Sequence, residues 1–230
     1  MLYHNVIAAR FVARPNRFIA HVDIDGCLHH AHVKNTGRCR ELLVPGAVVW
    51  LTRHDDPNRK TAYSLIAVEK NGRLINMDSQ APNKVVEEAL QNGLLLPGMT
   101  QPADSVRREV RVEDSRLDFF VTAQDKAYYV EVKGVTLEEN GVVLFPDAPT
   151  ERGVKHLHTL CRLREQGFEC CVLFVVQMAD ALYFTPNNTT HPAFGAALKE
   201  AAAQGVHCCA WDCTVTPESL TLHQPVAIKL

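Results

Sequence analysis

The sequence predicts a mixed α/β chain: a small N-terminal β-barrel over residues 1–80, followed by an α/β domain over residues 81–230. Over the first third, short apolar-rich segments are broken by Asp25-Gly26, Pro45-Gly46, Asp55-Asp56-Pro57-Asn58 and Asn71-Gly72, the punctuation of tight turns between strands. The texture changes at Asp78 to Pro82, and helical spacings then alternate with strand-like runs. A third observation concerns charge inside that second half. Tyr129-Val130-Glu131-Val132-Lys133 alternates so that a glutamate and a lysine share one strand face while the valines take the other.

In chain order, strands are expected over residues 17–24, 28–34, 47–52, 63–70 and 73–77, and five strands of that length suit a small barrel. Such barrels engage nucleic acid with one face and its loops, using cations and stacked aromatics. The candidates are Lys34, Asn35, Thr36, Arg38, Arg40 and Arg53, with Arg59 and Lys60 beside them; Phe18 and Trp50 serve equally well as core. Each cation taken singly is an ordinary solvated loop residue, so only the group carries weight. His29-His30-Ala31-His32 puts His30 and His32 on one strand face, but with no third ligand in view they read as sheet-face histidines.

Pro82-Asn83 opens a helix over residues 84–91, stopped by Asn92-Gly93, with Val85, Val86, Ala89 and Leu90 as its buried stripe and Glu87 and Glu88 flanking it. A strand over 107–112 comes next. Residues 115–122 and 126–133 form the hairpin that follows, turning at Ala123-Gln124-Asp125. A helix capped by Thr150 runs from Glu151 to about Gln166 and closes at Gly167. Its inner stripe is Val154, Leu157, Leu160 and Cys161; Arg152, Lys155, His156, Thr159 and Arg162 gather opposite, as a surface for phosphates or as a basic face in solvent. Arg152 and Lys155 lie near the helix start, where cations oppose the helix dipole, which favours an anion there. Residues 170–177 form the central strand with Gln177 at its carboxyl end, placed either to touch a ligand or to cap a carbonyl. An alanine-rich helix over 191–204 and strands over 206–216 and 220–228 complete the chain as structural elements.

The hairpin sets Asp118 on one strand near Glu131 on the next, with Lys133 beside them. Two adjacent carboxylates repel unless a cation sits between them or one keeps a proton. Lys133 could neutralise the pair as a plain salt-bridged sheet face. The apolar flanks favour a Mg²⁺ (or Mn²⁺) site instead, in which the acids hold a hard cation, the Val132 carbonyl is available as a further ligand and Lys133 assists the attacking water.

Asp118 followed by Glu131-x-Lys133 resembles the PD-(D/E)xK nuclease core. Ser115-Arg116-Leu117-Asp118-Phe119, the run from Tyr129 to Thr136 and the run from Leu144 to Leu157 are together similar to the sugar fermentation stimulation protein A family, along the whole chain and most specifically in its middle. Leu117 stands where the superfamily name has proline. The resemblance implies an OB-like N-terminal barrel, a nuclease-like second domain, DNA binding and a link to sugar (maltose) metabolism. It also implies a glutamate on the helix ahead of the sheet that reaches the metal or its water; Glu88 is the choice, though spacing does not separate it from Glu87.

The 230 residues, 47% of them hydrophobic, supply enough apolar side chains for real cores. No run is long enough to span a membrane, and the N-terminus lacks the basic and then apolar segments of a secretory signal. Eight cysteines without a Cys-x-x-Cys pair read as reduced core residues of a cytoplasmic protein. The formal charge of −2 conceals an asymmetry: residues 1–80 carry 11 Lys or Arg against 7 Asp or Glu, a net of +4, and residues 81–230 carry 13 against 19, a net of −6. That is the distribution expected when one half attracts phosphate and the other holds acids for cations. No Walker loop, Gly-x-Gly-x-x-Gly or serine elbow is present, and no aromatic-rich pattern of a sugar pocket. Two functions stay open on the sequence: Mg²⁺-dependent hydrolysis of DNA phosphodiesters, and non-specific DNA binding that regulates without cleaving.

Overall fold

The computed structural model describes residues 1–35, 37 and 39–230; the candidates Thr36 and Arg38 lie outside the described residues. Six strands make the first sheet: β1 (Val6–Asn16), β2 (Ile19–Ile24), β3 (Cys27–Val33), β4 (Val48–Arg53), β5 (Tyr63–Lys70) and β6 (Arg73–Asn76). β1, β2 and β3 form a meander, β1 also pairs with β4, β4 with β5, and a parallel pairing of β3 with β5 closes five strands into an OB-like barrel. Ala20, Val22, Ala31, Val33, Val49, Leu51, Leu65 and Val68 fill its interior, all completely buried.

The closing strand β1 escapes sequence reading. Its register shifts between Phe11 and Ala13 and again before Asn16, so its side chains do not alternate as a regular strand's do, and Ala8, Ala9, Arg10 and Pro15 weaken the strand signal further. β6, expected as the fifth barrel strand, instead pairs among the described residues with β5 alone and carries the chain out of the barrel. β2 begins two residues later than expected because Asn16 Oδ1 accepts the backbone N–H groups of Phe18 and Ile19 and makes the turn.

The second unit contains α1 (Ala81–Gln91), β7 (Ser105–Val112), β8 (Ser115–Ala123), β9 (Lys126–Val135), α2 (Glu151–Glu165), β12 (Glu169–Val176), α3 (Pro192–Ala203), β14 (His207–Thr216) and β15 (Ser219–Pro225). α1 starts at Ala81 rather than Lys84, because proline fits the first helical turn, where no N–H partner is needed. The sheet order is β15-β14-β12-β9-β8-β7, parallel at β9, β12 and β14 and antiparallel at both margins. β12 is buried on both faces. Cys171, Leu173 and Val175 pack with the α1 residues Val85, Val86 and Leu90, while Cys170, Val172, Phe174 and Val176 pack with Leu157 and Leu160 of α2 and Phe194 and Leu198 of α3. Between β9 and α2 the chain makes β10 (Leu137–Glu139) and β11 (Val142–Phe145), which join β13 (Tyr183–Pro186) in a small sheet that the sequence reading did not separate. All eight cysteines are free thiols. His21 stacks on His30 with ring centroids 4.7 Å apart, and no metal cluster involves the barrel histidines among the described residues.

The barrel and the second unit share one continuous core, running from Ala9 and Phe11 to Phe174 and Val226. Gln177, just past β12, stitches the junction. Its side-chain amide donates to Asn76 Oδ1 at 2.9 Å and to the Asp78 carbonyl at 3.1 Å, and its carbonyl accepts the Asn76 N–H at 2.9 Å. Its side-chain N–H groups thus cross the junction to Asn76 and Asp78 and cap the Asp78 carbonyl, not the last carbonyl of β12. Asp78 in turn takes Lys34 at 2.9 Å, and Lys70 of β5 reaches Glu138 of β10 at 3.2 Å. Replacing Gln177 with leucine removes two buried hydrogen bonds and is expected to cost about 1–3 kcal/mol. A urea titration followed by fluorescence of Trp50 and Trp211, one in each unit, measures this as a lower midpoint.

Candidate active site

β8 and β9 pair from Ala123↔Lys126 up to Phe119↔Val130, across a two-residue turn at Gln124-Asp125. One step further, Asp118 interrupts the ladder: its Oδ2 accepts the Val132 N–H at 2.8 Å, in place of a strand carbonyl. Leu117 packs into the larger core and Phe119 and Val121 into the smaller one, so the strand changes sides around Asp118. The other oxygen, Oδ1, accepts the Asn83 side-chain amide at 2.7 Å. Asn83 sits in the first turn of α1, and Gly134 lets that helix end come close. A Cβ at Gly134 would lie 2.6 Å from Gln177 Oε1 and 2.8 Å from Pro82 Cγ.

Glu131 lies on β9, facing α2, and is 3% exposed. Its Oε1 accepts from the Lys133 ammonium and from His156 Nδ1, the latter at 2.5 Å. Its Oε2 is buried with no hydrogen-bond partner. His156 Nε2 accepts from Arg152 Nε at 3.3 Å, so the ring carries its proton on Nδ1 and Arg152, His156 and Glu131 form a chain. Asp118 and Glu131 differ in electrostatics. Burial, and then the charge of Glu131, push the Asp118 carboxyl above the ordinary carboxylate range, against the hydrogen bonds from Val132 and Asn83. Burial also works against the Glu131 anion, but the His156 hydrogen bond and the Lys133 charge outweigh it and hold that carboxyl below its usual range.

Asp118, Glu131 and Lys133 are therefore gathered at one place. His156 and Thr159, assigned by helical spacing to the outward cationic side of α2, are buried instead, 3% and 1% exposed. His156 belongs to the acid cluster, and the Thr159 hydroxyl meets Ser115 Oγ at 3.1 Å. Besides packing Leu157 and Leu160 on β12, α2 meets β8 through Thr159 and β9 through His156, so its buried arc is wider than the apolar stripe. Glu88 is not drawn to the cluster; its carboxylate pairs with the Met1 ammonium at 2.6 Å, and Glu87 pairs with Arg108 at 3.0 Å. The α1 side chain that reaches Asp118 is Asn83, which only the opening turn Pro82-Asn83 could have flagged.

The barrel candidates are scattered. Lys34 is tied to Asp78, Arg53 lies 3.5 Å from Asp55, and Arg59 donates to the Ser64 hydroxyl at 3.2 Å. Asn35 holds the loop: its carbonyl accepts from Arg14 at 2.7 Å and its Oδ1 accepts the Gly37 N–H at 2.8 Å. Arg40 is exposed and shares a recess of about 420 Å³ with Arg14 and Arg17, two cations not singled out from sequence. Arg152 and Lys155 are exposed on α2, Lys155 paired with Asp114 at 2.8 Å.

Residues 12–77 match the family model "SfsA N-terminal OB domain" and residues 80–219 match "Sugar fermentation stimulation protein RE domain". The chain belongs to the sugar fermentation stimulation protein family. Sugar fermentation stimulation protein homologs of Ruminiclostridium cellulolyticum and Desulfitobacterium hafniense (strain DSM 10664 / DCB-2) are 49% and 52% identical over 230 residues, covering all of this chain and 100% and 99% of theirs. Among solved structures, Pyrococcus furiosus SfsA in complex with Ca²⁺ matches with a TM-score of 0.89 and 27% identity, over 100% of this chain and 98% of that one. Family membership and the OB-like barrel with its α/β partner thus agree with the sequence reading. Among the described residues no helix is long and apolar enough to cross a membrane.

The site yields a pH prediction. Because the folded protein raises the Asp118 pKa above the unfolded value, ionising Asp118 costs stability, and that cost grows as pH rises through the folded pKa and vanishes below the ordinary carboxylate range. Asp118→Asn removes the cost: its amide oxygen can still accept from Val132, and its NH₂ can face Asn83 once that amide turns over. In chelator at neutral pH the variant is expected to be about 0.5–2 kcal/mol more stable than the parent, with the gap closing in acid. Urea unfolding at the two pH values checks it; a gap that is constant with pH would refute the cause assigned.

Proposed function

We propose that this protein is a Mg²⁺- or Mn²⁺-dependent phosphodiesterase acting on DNA, with Asp118, Glu131 and Lys133 as its catalytic residues. The observation that carries the reading is Glu131 Oε2, a buried anionic oxygen without a partner beside a second carboxylate. Left bare, such an oxygen is costly; a hard divalent cation is the partner whose preference it meets. Among the described residues there is no group of three or more His, Cys, Asp or Glu side chains disposed around a metal. A two-carboxylate site would therefore complete its shell from a backbone carbonyl such as that of Val132, from water and from phosphate oxygens, as Mg²⁺ sites commonly do. The Ca²⁺ complex of the Pyrococcus furiosus relative supports a hard-cation site in this family.

When bound, the cation would polarise the scissile phosphate and lower the pKa of a water. The chain's own residues divide the remaining work. His156 and Lys133 both hold Glu131 Oε1, which favours the ionised carboxylate and leaves Oε2 without a partner, so that it would be the oxygen to hold the cation. Asn83 and the Val132 N–H orient Asp118 in the same way. Lys133 brings a positive charge to where negative charge accumulates on the phosphate oxygens and can hold the attacking water. Arg40 with Arg14 and Arg17 on the barrel, and Arg152 and Lys155 on α2, offer phosphate contacts that would lead a strand to the site. The link to sugar metabolism rests on the names of the family relatives.

Labelled single- and double-stranded DNA, titrated with Mg²⁺ or Mn²⁺, tests the reading. Cleavage is expected with metal and not in chelator, abolished by Asp118→Asn and reduced about a hundredfold or more by Lys133→Ala. Salt-sensitive binding with no cleavage under either metal would replace it with the regulatory, non-cleaving reading.

A further inference from the structure

Beside the acid cluster, on the far side of the His156 ring, lies a second recess of about 510 Å³. Two of its lining residues are polar and buried, Ser115, 5% exposed, and His156, 3% exposed. Its walls carry Arg111 from β7, Arg116 from β8, and Arg152 and Lys155 from α2. Asp114 is the acid among the lining residues, and it is already paired with Lys155. The exposed Glu109 approaches Arg116 at 3.6 Å.

Two features of this arrangement work against stability. Arg111 and Arg116 stand directly opposite each other across the β7–β8 ladder, a like-charge pair that a sheet ordinarily avoids. Arg152 and Lys155 crowd the start of α2, where the helix dipole already presents positive charge. Asp114, Glu109 and the first-turn Glu151 offset part of this charge, and an anion bound between the hairpin and the helix would relieve what remains at Arg111, Arg116 and Arg152.

We propose that this recess binds the terminal phosphomonoester of a nucleic-acid strand, so that the protein engages its substrate at an end. The inference rests on, and sharpens, the phosphodiesterase reading. An internal phosphodiester carries one negative charge and two free oxygens, whereas a terminal phosphate carries close to two charges and three free oxygens. Four cations, Arg111, Arg116, Arg152 and Lys155, around one recess are more than a diester passing by requires, and they match the terminal group. Arg152 also fixes where that end lies relative to the chemistry. Its Nε is bonded to His156, which is bonded to Glu131, so one imidazole separates the recess from the candidate metal-binding carboxylate.

The test needs no metal. Fluorescein-labelled single-stranded oligodeoxynucleotides bearing a 5′-phosphate, a 3′-phosphate or hydroxyls at both ends are titrated with the full chain in chelator and followed by anisotropy, with inorganic phosphate as competitor. One phosphorylated end is expected to bind about tenfold or more tightly than the hydroxyl form, the scale of one charge-assisted hydrogen bond, and inorganic phosphate to erase the advantage. The Arg111→Ala/Arg116→Ala variant, altered only at exposed positions, is expected to fold with undiminished stability and to lose the preference. Equal binding of all three oligonucleotides, or a preference that survives in the double variant, overturns the proposal. Because binding is read without metal, absence of cleavage would count against the phosphodiesterase alone, and absence of end preference against this site alone.

Discussion

Everything distinctive about this fold converges on the buried carboxylate of Glu131. A charge 3% exposed inside a sheet–helix interface must be compensated, and here two donors, Lys133 from the same strand and His156 from the neighbouring helix, converge on one of its oxygens. The other oxygen is left bare. That asymmetry separates the cluster from a structural ion pair, in which both oxygens would be expected to find partners. It also requires α2 to lie tightly across β9, and the helix is fixed there by its Thr150 cap, whose Oγ1 accepts the Gly153 N–H at 3.1 Å, and by Leu157 and Leu160 packed on β12.

The second constraint is the junction. The carboxyl end of β9 and the exit of the barrel are held in register because Gln177 bonds to Asn76 and Asp78, and because Gly134, with no side chain, lets Pro82 and Gln177 close over the strand. The same closure sets Asn83 against Asp118. These bonds and the shared core seat the barrel, with its recess at Arg14, Arg17 and Arg40, against the sheet that carries the acids.

Much of this was legible in the sequence, and the failures have physical causes. The hairpin carrying Asp118 and Glu131 could be read because its alternation is regular and its turn short, and the central strand because both its faces are apolar. β1 could not, since its register shifts scramble the period that identifies a strand. His156 was placed on the wrong side of α2 because helical spacing ranks positions by hydrophobicity, and a histidine buried to hold a carboxylate is polar by that measure. Asn83 is not legible for a different reason: the family resemblance implies a glutamate on this helix, whereas Glu88 pairs with the N-terminal ammonium and a neutral amide stands next to Asp118.

That replacement bears on how the two acids share their work. A third carboxylate at Asn83 would add repulsion to a pair in which Asp118 is already pushed toward its protonated form. The amide instead donates to Asp118 and favours its anion without adding charge. Against the cost of burial, the His156 hydrogen bond and the Lys133 charge hold the Glu131 carboxyl below its usual range, whereas burial and the charge of Glu131 push Asp118 above it; a cation that offset the Glu131 charge would favour the Asp118 anion. In the proposed function metal binding and Asp118 ionisation would be linked: a cation that needs the second carboxylate would also make that carboxylate available.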